Sequence, residues 1–103
     1  MDRGVLEEIC IAQKNREKVA LVTVVNTLGS TPRKAGSQML VWPDGRTFGS
    51  IGGGCAEGEV KLKARMAMDC GDSFLYRVEM LNDIAAQEGM VCGGVMEVFV
   101  KCL

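Results

Sequence analysis

Histidine is absent from this chain of 103 residues, and with it one of the most versatile catalytic side chains. Without histidine the chain can build neither a Ser-His-Asp nor a Cys-His catalytic site, and it cannot form a Cys2His2 zinc site. Any chemistry must therefore use thiols, carboxylates, cations or backbone amides.

An excess of charge of one sign is also missing. Twelve basic and thirteen acidic residues leave a formal net charge of -1, and no block of lysine and arginine could follow a phosphate backbone. No stretch approaches the ~20 apolar residues of a membrane-spanning helix, and the N-terminus lacks the apolar centre of a signal peptide. We therefore expect a cytoplasmic protein that binds neither nucleic acid nor membrane.

The five cysteines are odd in number and irregularly spaced, which argues against a secreted disulfide framework. There is no C-x-x-C pair, so a preformed zinc site is not expected. Three of the cysteines have structural interpretations: Cys10 in the core of a first helix, Cys70 at a helix end and Cys102 at a strand end. The other two, Cys55 and Cys92, lie beside glycines.

The pattern of apolar residues predicts one α+β domain spanning residues 1–103. A continuous β-branched run, Val19–Val25, indicates a central strand. The turn signal Pro43–Gly45 predicts a hairpin between the runs 37–42 and 46–51. Helical spacing is found in two segments, near residues 5–13 and 56–71, and alternation predicts two further strands near residues 74–80 and 95–101. We expect a mixed sheet of about five strands with two main helices.

Three glycine-containing stretches join these elements, and they carry the candidate chemistry. The first glycine stretch, Thr27–Gly36, contains the hydroxyls of Ser30 and Thr31 and the guanidinium of Arg33, a set that could grip a planar or anionic group. An ordinary turn with a solvated arginine is the alternative.

The second glycine stretch, Gly49–Glu59, reads GSIGGGCAEGE and leads into the second helix. Free amides and the dipole at a helix start favour a bound anion, although the spacing matches neither the Walker A loop nor the dinucleotide fingerprint. At this position the thiolate of Cys55 should be stabilised, which suits a soft ligand or a nucleophile. A buried structural cysteine is the alternative.

The third glycine stretch, Glu88–Gly94, places Cys92 before two glycines, but no helix start obviously follows it. A structural role for Cys92 is favoured over a functional one from the residues alone.

Together, "GSTPRKAG", "GSIGGGCAEGEV" and "GMVCGG" followed by "EVFV" resemble the N-terminal domain of the XdhC/CoxI family, from about Leu6 to Phe99. That family comprises maturation factors for xanthine dehydrogenase, carbon monoxide dehydrogenase and related molybdenum hydroxylases. The resemblance implies transient binding of molybdenum cofactor, as molybdopterin or its dinucleotide form. It also implies delivery to an apo molybdenum hydroxylase, with sulfuration of the metal.

The resemblance further implies which residues form the site. Cys55 is the principal cofactor-contacting thiol and a candidate molybdenum contact. The other candidate cofactor-binding residues are Ser30, Thr31, Arg33, Gly52, Gly53, Gly54, Cys92, Gly93 and Gly94.

Many members of the family continue into a C-terminal Rossmann-like domain, whereas this sequence stops after EVFVKCL. The resemblance therefore implies a stand-alone domain that works with a separate Rossmann-domain protein, with a cysteine desulfurase and with its client enzyme. An aliphatic-rich domain of this size should also self-associate into a homo-oligomer.

Three functions stay open. The leading one is a cofactor-binding chaperone that does no chemistry of its own. The second is a sulfur-transfer enzyme in which Cys55 carries a persulfide. The third is an interaction or regulatory module with an empty site, in which the glycines serve only tight turns.

Overall fold

Two helices and five strands make up the fold in this computed structural model, which describes residues 3–28, 35–51, 54–79 and 95–103. In chain order they are α1 (Arg3–Lys14), β1 (Ala20–Leu28), β2 (Gln38–Val41), β3 (Thr47–Gly49), α2 (Gly54–Cys70), β4 (Phe74–Glu79) and β5 (Val95–Cys102). The predicted order of elements is confirmed, and the fold is α+β as expected. The predicted third strand is shorter than its pattern suggested, because Ile51 leaves the strand and is fully buried in the core.

The sheet has the strand order β3-β2-β1-β5-β4, so β1 lies at its centre, as its doubly apolar sequence predicted. Val22 lies between Met39 of β2 and Val100 of β5, and all three side chains are fully buried. The longest ladder joins β1 to β5, which makes this pair of strands the spine of the domain.

Every pair of neighbouring strands is antiparallel, whereas the sequence predicted a mixed sheet. The expectation of mixed pairing rested on the order of the elements, in which a helix stands between the third and fourth strands; crossovers of this kind usually join parallel strands. β3 and β4 do run in the same direction, but they occupy opposite edges of the sheet, so they never pair.

The main core lies between α2 and one face of the sheet. Val60, Ala64 and Ala67 of α2 pack against residues that alternate along β1 and β5, including Val98. Helical spacing on α2 and alternation on the strands both predicted this face. The strand residues of the core are Ala20, Val22, Val24, Met39, Val41, Val78, Met96, Val98 and Val100.

A second, smaller cluster lies on the opposite face of the sheet, under α1. It consists of Val5, Ile9, Ala12, Val19, Leu21, Leu40 and Trp42. α1 covers only the part of this face formed by β1 and β2. Over β5 and β4 the side chains of Phe99 and Leu75 remain 39% and 58% exposed.

The expected place of Cys10 in the helix core is wrong, because this cysteine is exposed. α1 is buried along a narrow stripe through Val5, Ile9 and Ala12, and helical geometry places position 10 well round the helix from that stripe. The expected positions of Cys70 at a helix end and Cys102 at a strand end are both confirmed.

The two ends of the sheet differ in how the chain connects its elements. At one end, which we call the turn end, short connections span residues 15–19, 42–46 and 71–73. At the other, which we call the loop end, the connections span residues 29–37, 50–53 and 80–94. The predicted hairpin turn belongs to the turn end, where Gly45 has a φ of 93° and donates its N–H to the carbonyl of Trp42.

Candidate functional site at the loop end

The loop end of the sheet receives all three glycine stretches. β1 ends at Leu28, opposite Val95 where β5 begins, and Val95 in turn lies opposite Glu79 where β4 ends. β3 ends at Gly49, opposite Met39 near the start of β2. The topology therefore anchors the three stretches at one end of one sheet, although they are far apart in the sequence.

Most of the predicted cofactor-binding residues lie outside the described residues. These are Ser30, Thr31, Arg33, Gly52, Gly53, Cys92, Gly93 and Gly94. The structure does describe the backbone of Gly54 and Cys55, which are the first two residues of α2. The expected place of Cys55 at a helix start is therefore confirmed, and α2 begins two residues earlier than predicted. The role of Cys55 stays a prediction.

The central strand extends beyond its neighbour on one side of the loop end. β1 pairs with β5 as far as Leu28, but its register with β2 ends at Thr23. Just beyond that point, Val24 exchanges backbone hydrogen bonds with Ser37 and Gly36, at 2.8 Å and 2.7 Å. The last residues of β1 thus extend past the start of β2, on the side of the sheet edge where β3 ends and the second glycine stretch begins.

A bulge interrupts β1 at this extension, between Val24 and Asn26. Bulges bend a strand and redirect its side chains, and they are frequent beside functional sites. After the bulge, Asn26 lies opposite Glu97 and donates a hydrogen bond from Nδ2 to the carboxylate at 3.2 Å. Because Glu97 alternates with the buried residues of β5, this polar pair lies on the face of the sheet opposite α2.

Gly49 fixes the start of the second glycine stretch. Its φ of +85° is rarely adopted by residues with a side chain, and a Cβ atom built there would lie 2.7 Å from the carbonyl oxygen of Gln38. Only glycine fits this backbone without displacing β2. Two residues later, Ile51 is fully buried in the main core. The stretch is thus anchored to the sheet immediately before Gly52.

A side-chain contact closes the second glycine stretch from its other end. The hydroxyl of Ser50 donates a hydrogen bond of 3.0 Å to the carboxylate of Glu57, which lies in the first turn of α2. In the sequence, residues 51–56 lie between these two bonded residues. The carboxylate also brings negative charge to the positive end of the helix dipole, the place that the sequence assigned to an anionic group.

The contact between Ser50 and Glu57 bears on where an anionic group could bind at the loop end. A phosphate beside the first turn of α2 would face the Glu57 carboxylate, and like charges in close contact oppose each other. A thiol or a neutral glycine amide at the same turn does not suffer this repulsion.

Sequence reasoning missed the polar residues that the described part of the loop end contributes. Glu57 carried a usable signal, because acidic residues are favoured in the first turn of a helix. No pattern in the sequence predicted the bulge at Val25, and it is this bulge that places Asn26 opposite Glu97. Among the described residues no group of three or more cysteine and acidic side chains could hold a metal ion.

The fold and the position of its glycine stretches define a class: an α+β domain with a five-stranded antiparallel sheet, anchoring glycine-rich connections at one end. Residues 12–79 match the XdhC and CoxI family, and the chain belongs to that family. The resemblance of the chain to this family is confirmed, and the matched residues contain the first two glycine stretches.

Two curated proteins are similar over most of this chain. It is 38% identical over 82 residues to the uncharacterized protein YqeB of Escherichia coli (strain K12), a match that covers 80% of this chain and 15% of that protein. It is 33% identical over 90 residues to a probable xanthine dehydrogenase subunit of Bacillus subtilis (strain 168), covering 85% of this chain and 27% of that protein. The chain thus spans less than a third of either relative.

A solved structure shares the fold. The crystal structure of a protein described as a xanthine dehydrogenase from Bacillus halodurans superposes with a TM-score of 0.71 at 22% sequence identity. The match covers 93% of this chain and 29% of that chain. In the part of the chain that the structure describes, neither helix has the length and apolar character that a membrane crossing requires.

Proposed function

We propose that this domain binds molybdenum cofactor at the loop end and assists its insertion, or the sulfuration of its metal, in a molybdenum hydroxylase of the xanthine dehydrogenase type. The observation that carries the proposal is the anchoring of all three glycine stretches at one end of the sheet, in a chain that belongs to the XdhC and CoxI family. The Bacillus subtilis relative, named a probable xanthine dehydrogenase subunit, supports the choice of client.

The cofactor is cargo in this proposal: a pterin with a soft dithiolene and molybdenum at one end and a phosphate or nucleotide at the other. Cys55 offers a thiol at the helix start, suited to the molybdenum or its sulfur. Arg33, with Ser30 and Thr31, offers cationic and hydroxyl donors suited to the phosphate. Glycines in the second and third stretches let the backbone approach the pterin closely.

This orientation of the cargo follows from the Glu57 carboxylate. Because that group already occupies the first turn of α2 and accepts a hydrogen bond from Ser50, the molybdenum end is better placed there than the phosphate end. Glu57 then acts as a positioning residue that holds residues 51–56 and disfavours the reverse orientation.

Partners are proposed with the same function. The client is an apo molybdenum hydroxylase, and a cysteine desulfurase supplies sulfur where the metal is sulfurated. A separate Rossmann-domain protein and a second copy of the chain are further proposed partners, and the exchange takes place in the cytoplasm. No catalytic residue is assigned, because the proposed domain carries cargo and does not transform it.

The proposal is tested by anaerobic titration of the chain with molybdenum cofactor. We expect Cys55→Ala to weaken binding by about 10-fold to 100-fold, the scale of one lost charge-assisted contact. Cys10→Ala is the matched control, because Cys10 is exposed on α1 and should leave the affinity unchanged. Cys92→Ala tests the competing thiol.

Two outcomes would overturn the proposal. The first is the absence of any binding by the wild-type chain at protein concentrations of tens of micromolar. The second is equal affinity in Cys55→Ala and wild type with a large loss of stability in the variant, which would make Cys55 a core residue.

The orientation of the cargo has a test of its own. Arg33→Lys should weaken binding of the dinucleotide form more than Ser50→Ala does, because lysine lacks the bidentate fork.

A further inference from the structure

Two cysteines that play no part in the proposed function both lie at the turn end of the sheet. Cys70 is the last residue of α2, and Cys102 is the last residue of β5. They are 32 positions apart in the sequence, and nothing in their spacing suggested a pair. The antiparallel pairing of β4 with β5 brings the end of the chain back beside the end of α2.

The side chain of Cys102 contacts the connection that follows α2. Its Sγ donates a hydrogen bond of 3.2 Å to the carbonyl oxygen of Asp72. Cys102 also packs against the main core, so it lies on the face of the sheet that α2 covers.

Hydrogen bonds at the end of α2 hold this connection close to the last helical turn. The N–H groups of Gly71 and Asp72 both donate to the carbonyl of Ala67, at 2.7 Å and 3.1 Å, and Gly71 has a φ of 75°. This is the geometry of a helix C-cap with a left-handed glycine. It turns the chain sharply just after Cys70, so Asp72, which accepts the bond from Cys102, stays next to the helix end.

The Cys70 thiol is among the groups that act on the Cys102 thiol electrostatically. The pKa of the Cys102 thiol is raised, first by burial, then by the Asp72 carboxylate and by the Cys70 thiol, while the Lys18 ammonium opposes the rise. Cys70 is exposed and Cys102 is partly exposed. Because Cys70 is the more exposed of the two, a small oxidant can reach it first, and Cys102 is then the second thiol.

We propose that Cys70 and Cys102 form a redox-sensitive dithiol that closes to an intramolecular disulfide on reaction with a low-molecular-weight disulfide. In the first step the Cys70 thiolate attacks one sulfur of glutathione disulfide, breaking its S–S bond and releasing one glutathione thiolate. In the second step the Cys102 thiolate attacks the Cys70 sulfur and releases the second glutathione. The protein loses two electrons and two protons, and glutathione disulfide gains both as two thiols.

The disulfide links the end of α2 to the end of β5 and closes a loop over residues 70–102, which contains β4 and the whole third glycine stretch. Cross-linking a segment of this length restricts the unfolded chain, so the oxidised form should unfold at a higher temperature than the reduced form. The modification site is at the turn end, separate from the candidate cofactor site.

The experiment treats the fully reduced chain with glutathione disulfide, blocks remaining thiols with N-ethylmaleimide and maps the products by mass spectrometry. Trypsin places Cys70 in the peptide 66–77 and Cys102 in the peptide 102–103. We expect these two peptides joined to each other, without bound glutathione. Cys102→Ser should instead stop at a mixed disulfide between Cys70 and glutathione, and Cys10→Ser should behave as the wild type.

Because the wild-type map needs no variant, the test does not depend on how well the serine variants fold. Glutathione retained on Cys70 in the wild type would overturn the proposal. So would a disulfide joining Cys70 to any other cysteine. A thermal midpoint that stays the same or falls on oxidation would contradict the link between α2 and β5, and dithiothreitol should restore the reduced midpoint.

Discussion

The turn end and the loop end of the sheet are built from the same five strands but are held together in different ways. At the turn end, short connections are closed by side-chain contacts of their own. At the loop end, the described residues contribute a strained glycine, one hydroxyl bonded to a carboxylate, and a polar pair at a bulge. Binding residues of a domain usually lie on connecting segments that a scaffold of strands and helices holds in place.

The turn end shows how such closure works. The carboxylate of Glu17 accepts a hydrogen bond of 2.9 Å from Nε1 of Trp42 and one of 3.2 Å from Arg46, whose guanidinium lies 4.6 Å from the centre of the Trp42 ring. Three residues from two connections thereby tie α1 to the hairpin of β2 and β3.

The largest expected effect concerns the core beneath the loop end. Met96 begins the buried stripe of β5 and is fully buried, so Met96→Ala should lower the free energy of unfolding by about 2–5 kcal/mol. Met66→Ala is the matched control, because Met66 is 52% exposed on α2, and its effect should stay within about 0.5 kcal/mol. Urea unfolding followed by the fluorescence of Trp42, the single tryptophan, measures both.

Equal losses of stability in the two methionine variants would contradict this prediction, since they would mean that no packed core lies beneath the loop end.

The next effect concerns the strained glycine. Gly49→Ala must displace β2 or β3, and it should cost about 1–3 kcal/mol of stability. Gly58→Ala makes the same chemical change inside α2, where a Cβ meets no neighbouring atom, and it should gain up to about 1 kcal/mol. We expect the two substitutions to change the free energy of unfolding in opposite directions. A gain of stability in both would show that Gly49 does not anchor the second glycine stretch.

A smaller effect is expected when the turn end is opened. Glu17→Ala removes the shared acceptor of Trp42 and Arg46 and should cost about 1–2 kcal/mol, because the pair is partly exposed to solvent. Glu7→Ala removes only an exposed ion pair with Arg3, at 3.9 Å, and should cost less than about 0.5 kcal/mol. Thermal unfolding of both variants checks this, and a smaller loss in Glu17→Ala than in Glu7→Ala would contradict the closure.

The smallest effect links α2 to β4. The hydroxyl of Tyr76 donates a hydrogen bond to the carboxylate of Glu59, and this bond, more than burial, raises the pKa of the phenol. A raised pKa in the folded state stabilises the fold below the ordinary tyrosine value of about 10 and is lost as the pH rises through the folded value. The stability advantage of wild type over Tyr76→Phe should therefore shrink above about pH 10.

Tyr76 is the single tyrosine, so the ultraviolet absorbance of its phenolate reports its titration alone. Glu59→Gln should bring that titration back towards the ordinary value. If Glu59→Gln left the titration of Tyr76 unchanged, the hydrogen bond to Glu59 would not be the cause of the raised pKa.

Much of the scaffold could be predicted because its signals are local. The β-branched run of β1 indicated a central strand, and the alternation of Met96, Val98 and Val100 indicated the face that is now fully buried. The direction of the strands could not be predicted in the same way. It depends on which edges β3 and β4 occupy, and that is decided by packing between distant parts of the chain.

The candidate site was predictable as a set of glycine stretches, but its described polar contacts were not. The hydrogen bond from Ser50 to Glu57 depends on where α2 begins, and the pairing of Asn26 with Glu97 depends on a bulge that shifts the register by one residue. Cys70 and Cys102 are brought together only by the pairing of β4 with β5. In each case the two residues are distant in sequence or separated by an irregular backbone. Only the tertiary fold brings them near each other.

Hydrogen exchange with and without molybdenum cofactor, measured anaerobically by mass spectrometry, tests the central claim most directly. We expect slower amide exchange on binding in peptides that cover residues 29–37, 50–57 and 80–94, all connected to the loop end. Exchange should stay unchanged in peptides that cover the turn-end connections, residues 15–19, 42–46 and 71–73. Protection centred on the turn end, or confined to one glycine stretch, would contradict a single site built from all three.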